Sequence, residues 1–175
     1  TILNKNDPYC IRMADKTDGR VFFFSSGEKL DEGIYLDGDE IHIKWDGLDK
    51  DVINVNELKI LGVHNYENVM AAVACSVCAG VEMDEIRNVL REFNGVEHRI
   101  ELCNEIDGVR FVNDSKGTNP DAAVKAIEAI KKDIILIAGG YDKDSSFDDF
   151  VKAFDGRVKA LLLMGKTATK IKDAA

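Results

Sequence analysis

The densest chemistry in the chain lies in one short run, Asn113-Asp114-Ser115-Lys116-Gly117-Thr118-Asn119. It holds an acid, two hydroxyls, an ammonium group, a glycine and two carboxamides. An apolar stretch ending at Val112 precedes it, and Pro120 follows. In open α/β sheets ligands bind beyond the carboxyl ends of strands. A helix N-terminus there adds free N–H groups and a partial positive charge, worth about 0.3–1 kcal/mol to a nearby anion. Lys116 supplies a full charge, and Gly117 lets the backbone approach a ligand closely. The plainer reading is a hydrophilic turn in which Asn119 is simply a good N-cap. A second run, Gly139-Gly140-Tyr141-Asp142-Lys143-Asp144, follows a strand ending at Ala138. Its glycines permit a tight turn or a close ligand, and Lys143 could bind a carboxylate. An ordinary strand-to-helix turn is the alternative. Both lysine loops are expected at the same sheet edge.

Two further groupings carry polar chemistry. Gly62-Val63-His64-Asn65-Tyr66-Glu67-Asn68 leads into an alanine-rich helix. Asn65 and Asn68 are three apart and share a helix face, so their carboxamides could offer a purine both a donor and an acceptor. Alternatively Asn65 caps the helix and Asn68 is solvated. Later, the Arg99 guanidinium of His98-Arg99 could reach a phosphate or ribose. Other signals fail. Cys75-Ser76-Val77-Cys78 has redox or zinc spacing, yet it falls within an apolar helix, where cysteine is expected as a small buried hydrophobe. Gly165-Lys166-Thr167 ends like a phosphate loop, but Ala160 stands where the first glycine is required. No Gly-x-Ser-x-Gly elbow is present, and no metal site is predicted.

The elements that must position these groups follow from periodicity. Arg20 to Ser25, Gly33 to Leu36, and the alternating Ile41, Ile43 and Trp45 read as strands of a small antiparallel sheet, with a tight turn at Asp37-Gly38. A helix is predicted from Asn65, its N-cap, with Gly80 as its stop. A second begins at Asp84, places Ile86, Val89, Leu90 and Phe93 on one face, and ends at Asn94-Gly95, a candidate domain boundary. Beyond it, Ile100 to Ile106 and Val109 to Val112 flank an Asp107-Gly108 turn and predict a hairpin. Asn119 caps a helix opened by Pro120, with Ala123, Ile127 and Ile130 on one face. Ile134 to Ala138 and Ala160 to Met164 read as strands buried on both faces of a parallel sheet. Helices around Phe147, Phe150, Val151 and Phe154, and from Thr167 onward, complete an α/β chain with an open, mostly parallel, Rossmann-like sheet.

Composition bounds the partners. The chain has 175 residues and a net charge of -9. An acidic balance argues against nucleic acid or an anionic membrane, which need a broad basic face, but leaves room for a nucleotide held by a few amides and lysines. No apolar run approaches the roughly 20 residues of a membrane helix, and no basic-then-apolar leader signals export. The four cysteines are too few for a stapled secreted domain; a cytoplasmic protein, monomeric by default, is expected. Thr1-Ile2-Leu3, without Met, reads as the interior of a longer chain.

Taken in order, these motifs resemble the Mur ligase family. Leu61-Gly62-Val63-His64-Asn65-Tyr66-Glu67-Asn68-Val69-Met70-Ala71-Ala72 is similar to its Gly-x-His-Asn-x-x-Asn…Ala-Ala signature, and His98-Arg99-Ile100-Glu101 to its His-Arg-x-Glu. The loop 113–119, Gly139 to Lys143, and Leu3-Asn4-Lys5-Asn6-Asp7-Pro8 resemble the branch that adds D-glutamate. The resemblance implies an ATP- and Mg2+-dependent ligase of peptidoglycan precursor synthesis, acting on UDP-N-acetylmuramoyl-L-alanine through an acyl phosphate. It implies that residues 1–95 close a central ATP-binding domain and that 96–175 open a C-terminal amino-acid-binding domain. Asn65, Asn68, Arg99 and Asp114 would then serve ATP, Lys116 the reacting end, and Thr118 and Lys143 D-glutamate, with His64, Ser115 and Asn119 in support. The phosphate loop, the magnesium ligands and the UDP-binding domain are expected outside this stretch, so the chain alone is expected to be inactive. Two other readings stand beside this one: a ligase of the same family for another amino acid, or a non-catalytic nucleotide- or amino-acid-binding module.

Overall fold

The computed structural model describes residues 1–130 and 133–175. Strand β1 (Ile2–Asn4) leads to Asp7, whose carboxylate accepts the Tyr9 N–H at 2.7 Å and so opens helix α1 (Pro8–Ala14). Pro8 stands in the first turn, where a missing N–H is harmless. Strand β2 (Phe22–Ser25) pairs parallel with β1, and β3 (Gly33–Asp37) pairs parallel with β2. Strands β4 (Glu40–Trp45) and β5 (Leu48–Asn54) then add antiparallel, giving the order β1-β2-β3-β4-β5. The sheet is therefore mixed, not antiparallel as its pattern suggested. Apolar alternation encodes which face is buried but not strand direction, and α1 carries the chain back between two parallel strands.

Helix α2 (Val63–Cys78) buries Val69, Met70, Val73 and Ala74 against β1, β2 and β3. Its cap is Gly62, at φ 95°, so Asn65 lies inside the first turn and is not the N-cap. Gly80 does mark the stop: Val81 N–H reaches Ser76 O and Gly80 N–H reaches Val77 O, both at 3.0 Å, the paired bonds of a Schellman motif. Helix α3 (Met83–Glu92) is fastened to β5 by Arg87, which donates to the carbonyls of Val52 (2.9 Å) and Asp51 (2.5 Å). Ile86 is buried and Leu90 partly so, but Val89 and Phe93 are exposed, contrary to the four-residue face expected. Cys75 and Cys78 are likewise exposed, not buried, because they fall outside the stripe of Val69, Met70, Val73 and Ala74 that α2 packs on the sheet.

The chain divides into two compact units, Thr1–Asn94 and Gly95–Ala175. In the second, β6 (Glu101–Ile106) and β7 (Val109–Asn113) form a hairpin whose turn residues Asp107 and Gly108 both have positive φ, 51° and 77°. Helix α4 (Pro120–Ala129), strand β8 (Ile134–Gly140), helix α5 (Asp148–Lys152), strand β9 (Val158–Gly165) and helix α6 (Ala168–Ala174) follow. Strands β8 and β9 are parallel. Ile127, Ile134, Phe150 and Ile171 form the core beneath them. Burial on both sheet faces does not hold, since Ile135 and Ile137 are 63% and 64% exposed. Among the described residues the sheets are open, and β6-β7 is separate from β8-β9. No described helix is long and apolar enough to cross a membrane.

Candidate functional site

In the first unit the polar group at the start of α2 is held from below. Asn65 is 9% exposed; its Nδ2 donates to Leu61 O at 2.7 Å, and its Oδ1 faces Asn68 Nδ2 at 3.5 Å. Asn65 therefore spends an amide proton on the fold, and Asn68 is the carboxamide on the surface. His64, half-buried, also has a partner within the structure. Glu67 accepts from Ser26 Oγ at 2.5 Å. The loop bearing Ser26 is set in turn by Asn6, whose Oδ1 accepts from Ser26 N–H (2.9 Å) and Ser25 Oγ (3.2 Å). The motif near the chain start thus supports the start of α2 through one intervening loop. Ser26 was not singled out in the sequence, since a serine pair before glycine carries no distinguishing signal.

In the second unit, loop 113–119 is stitched to the segment His98-Arg99-Ile100. Asn113 Nδ2 lies 3.0 Å from His98 Nδ1, Asp114 Oδ1 accepts the Ile100 N–H at 3.1 Å, and Lys116 N–H donates to His98 O at 3.0 Å. Glu101 closes the segment by accepting the His98 N–H at 2.8 Å. These bonds hold an unusual backbone. His98 and Ile100 both have positive φ, 66° and 47°, a conformation costing about 1–3 kcal/mol per non-glycine residue. Arg99, between them, is exposed and has no ion-pair partner among the described residues.

Within the loop, Ser115 N–H donates to Asn113 Oδ1 (3.0 Å) and Gly117 N–H to Asp114 O (2.8 Å). Asn119 then caps α4, accepting the Ala122 N–H at 2.8 Å. Ser115, Lys116, Thr118 and Asn119 are all exposed. Gly117, read as room for a ligand, has a closer reason: a Cβ there would stand 2.5 Å from Asp114 Oδ2. The two lysine loops do not share a sheet edge, because β7 and β8 belong to different sheets. They meet all the same. Lys143 Nζ donates to Thr118 O at 3.2 Å. Beyond Lys143, Lys170 pairs with Asp142 at 3.3 Å, and Lys166 stands 5.3 Å over the Tyr141 ring. The glycines at the ends of β8 and β9 pack against each other, so that a Cβ on Gly165 would meet Gly140 at 2.9 Å. The result is a surface where exposed cations, hydroxyls and the N-terminus of α4 converge, suited to an anionic ligand.

Residues 98–175 match the family description "Mur ligase, glutamate ligase domain". The whole chain is 51% identical to the UDP-N-acetylmuramoylalanine--D-glutamate ligase of Thermoanaerobacter sp. (strain X514), covering 38% of that protein. The chain belongs to the Mur ligase family. A Mur ligase of the same name from Lachnoclostridium phytofermentans is 47% identical over 174 residues, and again 38% of it is covered. The chain thus spans well under half the length of these curated relatives. Among solved Mur-type structures, the UDP-N-acetylmuramoylalanyl-D-glutamyl-2,6-diaminopimelate--D-alanyl-D-alanyl ligase from Acinetobacter baumannii superimposes with a TM-score of 0.76. Identity there is 16%, over 99% of this chain and 40% of that one. A folylpolyglutamate synthase from Thermotoga maritima gives 0.63 at 18% identity, over 99% of this chain and 44% of its own. These likenesses show the fold.

Proposed function

We propose that this chain is part of an ATP-dependent ligase that joins D-glutamate to UDP-N-acetylmuramoyl-L-alanine. The observation that supports it best is the meeting of loop 113–119 with Lys143, in the unit matched by the glutamate ligase description. In such a reaction a carboxylate oxygen of the acceptor attacks the γ-phosphorus of ATP, the bond to the bridging oxygen breaks, and ADP leaves. The amine of D-glutamate then attacks the acyl phosphate carbon and loses a proton, and inorganic phosphate departs as the amide forms. Little here needs a protein nucleophile; positioning and charge do the work.

The side chains divide accordingly. Lys116 meets the negative charge that builds at the reacting phosphate. Thr118 and Lys143 hold a carboxylate of the incoming amino acid, for which an exposed ammonium beside a hydroxyl is the appropriate chemistry. Arg99 serves the ribose or phosphates. Asp114 contributes chiefly by shape, since one of its oxygens already accepts the Ile100 N–H. On the first unit Asn68, backed by Asn65, serves the adenine. Residues 1–95 are in this reading the nucleotide side, and 96–175 the amino-acid side. No group of three or more His, Cys, Asp or Glu among the described residues could hold a metal. These residues do not fit Mg2+ by themselves.

The test is kinetic, in a full-length protein carrying this segment. Lys143→Ala and Thr118→Ala should raise the KM for D-glutamate by roughly 10-fold or more, the scale of a hydrogen bond to a charged group. The KM for ATP should stay within about twofold, since these groups are assigned no nucleotide contact. Equal effects on the two substrates would overturn the assignment.

A further inference from the structure

Asn113 was singled out in the sequence only as the first residue of a polar loop, yet it makes two bonds that no other side chain there duplicates. Its Oδ1 accepts the Ser115 N–H at 3.0 Å, which fixes the orientation of the amide. The Nδ2 end must then face His98, 3.0 Å from the ring Nδ1. An amide nitrogen only donates, so Nδ1 must accept and the ring proton must sit on Nε2. Nε2 points toward Glu97, 3.5 Å away, and Glu101 Oε2 lies 3.4 Å from Nδ1. Without Asn113 those carboxylates would favour a proton on either nitrogen. With it, one tautomer is selected.

We infer that Asn113 is a positioning residue that locks the His98 ring into its Nε2–H form and thereby sets the backbone carrying Ser115 and Lys116. The chain of contact is short. His98 O accepts the Lys116 N–H, so the residue whose ring Asn113 holds also anchors the backbone of the lysine proposed to face the reacting phosphate. Asn113 holds the first half of the loop from two sides, through Ser115 ahead of it and through His98 behind. Arg99 lies inside the same arrangement, between the two positive-φ residues that these bonds stabilise. The functional consequence rests on the ligase reading; the tautomer and the loop geometry do not.

The test uses the 175-residue chain labelled with 15N, at mildly alkaline pH where imidazoles are neutral. Long-range 1H–15N correlations should show the His98 ring as the Nε2–H tautomer alone. Asn113→Ala should give a mixture of tautomers and speed the exchange of the Ser115 and Lys116 amides by about fivefold, as expected when one hydrogen bond is lost. Asn113→Asp keeps an acceptor for Ser115 and turns a second acceptor toward Nδ1. It should restore slow amide exchange while moving the ring proton to Nδ1, an inversion that a merely structural role would not produce. A wild-type ring protonated on Nδ1, or a tautomer unchanged in both variants, would overturn the inference. ATP titration of a full-length protein carrying this segment, with and without the same substitution, separates the two claims. With the lock intact, Asn113→Ala should weaken the ATP-induced shift of the Lys116 amide about fivefold in apparent affinity. A full-length wild-type protein with no Lys116 response to ATP, beside a chain that shows the Nε2–H tautomer, would count against the ligase assignment of Lys116 and leave the positioning role of Asn113 standing.

Discussion

At the scale of single residues, the loop is shaped by bonds that polar side chains make to the backbone, and Gly117 shows how tightly. A Cβ at that position would lie 2.5 Å from Asp114 Oδ2 and 3.2 Å from Asp114 O. Gly117→Ala must therefore push Asp114 aside, and the Asp114 carboxylate is what accepts the Ile100 N–H. The substitution is expected to destabilise the second unit by about 1–3 kcal/mol, the usual cost of overpacking a closed site. It should also release the Ile100 amide to faster hydrogen exchange. An unchanged urea midpoint together with unchanged Ile100 exchange would show that the loop relaxes freely. Gly108 makes the opposite case, with open space around it and a φ of 77° that alone requires glycine. Residue types identified the loop from sequence because acid, hydroxyl, lysine and glycine rarely crowd together without reason. What sequence could not reveal is which of them face outward. Asp114 and Asn113 are largely consumed by the fold and Asn65 by Leu61 O, whereas Lys116 is exposed.

At the scale of elements, local signals were legible where a side chain acts on its own neighbours. Asn119-Pro120 opens α4 as its chemistry demands, and Asn119→Ala should cost about 1 kcal/mol through loss of the cap. That loss is measurable as a lower urea midpoint of the helical signal, and a midpoint equal to wild type would mean the cap is redundant. The Asp107-Gly108 turn was equally readable, and Asp46-Gly47, with φ of 51° and 84°, joins β4 to β5 by the same device. Strand β5 carries no apolar alternation at its start, where Asp49, Lys50 and Asp51 are all charged and exposed. Those charges carry a pH dependence. His42 on β4 lies 2.7 Å from Asp51 Oδ1 and 2.8 Å from Asp49 Oδ1. The Asp51 bond foremost, then the Asp49 bond, raises the imidazole above its ordinary 6.5 despite opposing desolvation. The bond to His42 in turn lowers Asp49 below 3.8. A raised histidine stabilises the fold fully below its unfolded value and loses that contribution as pH climbs through the folded one. A lowered aspartate contributes above its unfolded value and loses it as pH falls through the folded one. The pair therefore favours folding most between 3.8 and 6.5. The urea midpoint of the first unit should fall from about pH 6 to about pH 9, and His42→Gln should flatten that decline. A wild-type decline that the variant leaves intact would assign it to other groups.

At the scale of the whole molecule, the sequence led to an α/β chain with a break near Asn94-Gly95, and it did so because the apolar period changes there. It did not lead to the mixed direction of the first sheet or to the exposed outer face of β8 and β9, since both depend on partners that no local pattern encodes. The two loops met for a similar reason: a tertiary contact, Lys143 to Thr118, joined what the sheet topology separates. Each unit encloses its own core, one around Phe22, Ile34, Met70 and Trp45 and one around Ile127, Ile134, Phe150 and Ile171. Separate cores imply separate cooperative units, since cooperativity follows contiguous burial. The chain offers a direct way to see this. Trp45 is its single tryptophan and stacks on Phe22 at 4.1 Å, in the first core, so its fluorescence reports that unit, while far-ultraviolet circular dichroism reports both. Ile127 is 2% exposed in the second core, and Ile127→Ala should remove about 2–5 kcal/mol there. The dichroism curve in urea should then develop an earlier phase while the Trp45 transition keeps its wild-type midpoint. If both probes shifted together, the two cores would be one cooperative unit, and the positioning of loop 113–119 would have to be referred to the stability of the first sheet as well as to its own bonds.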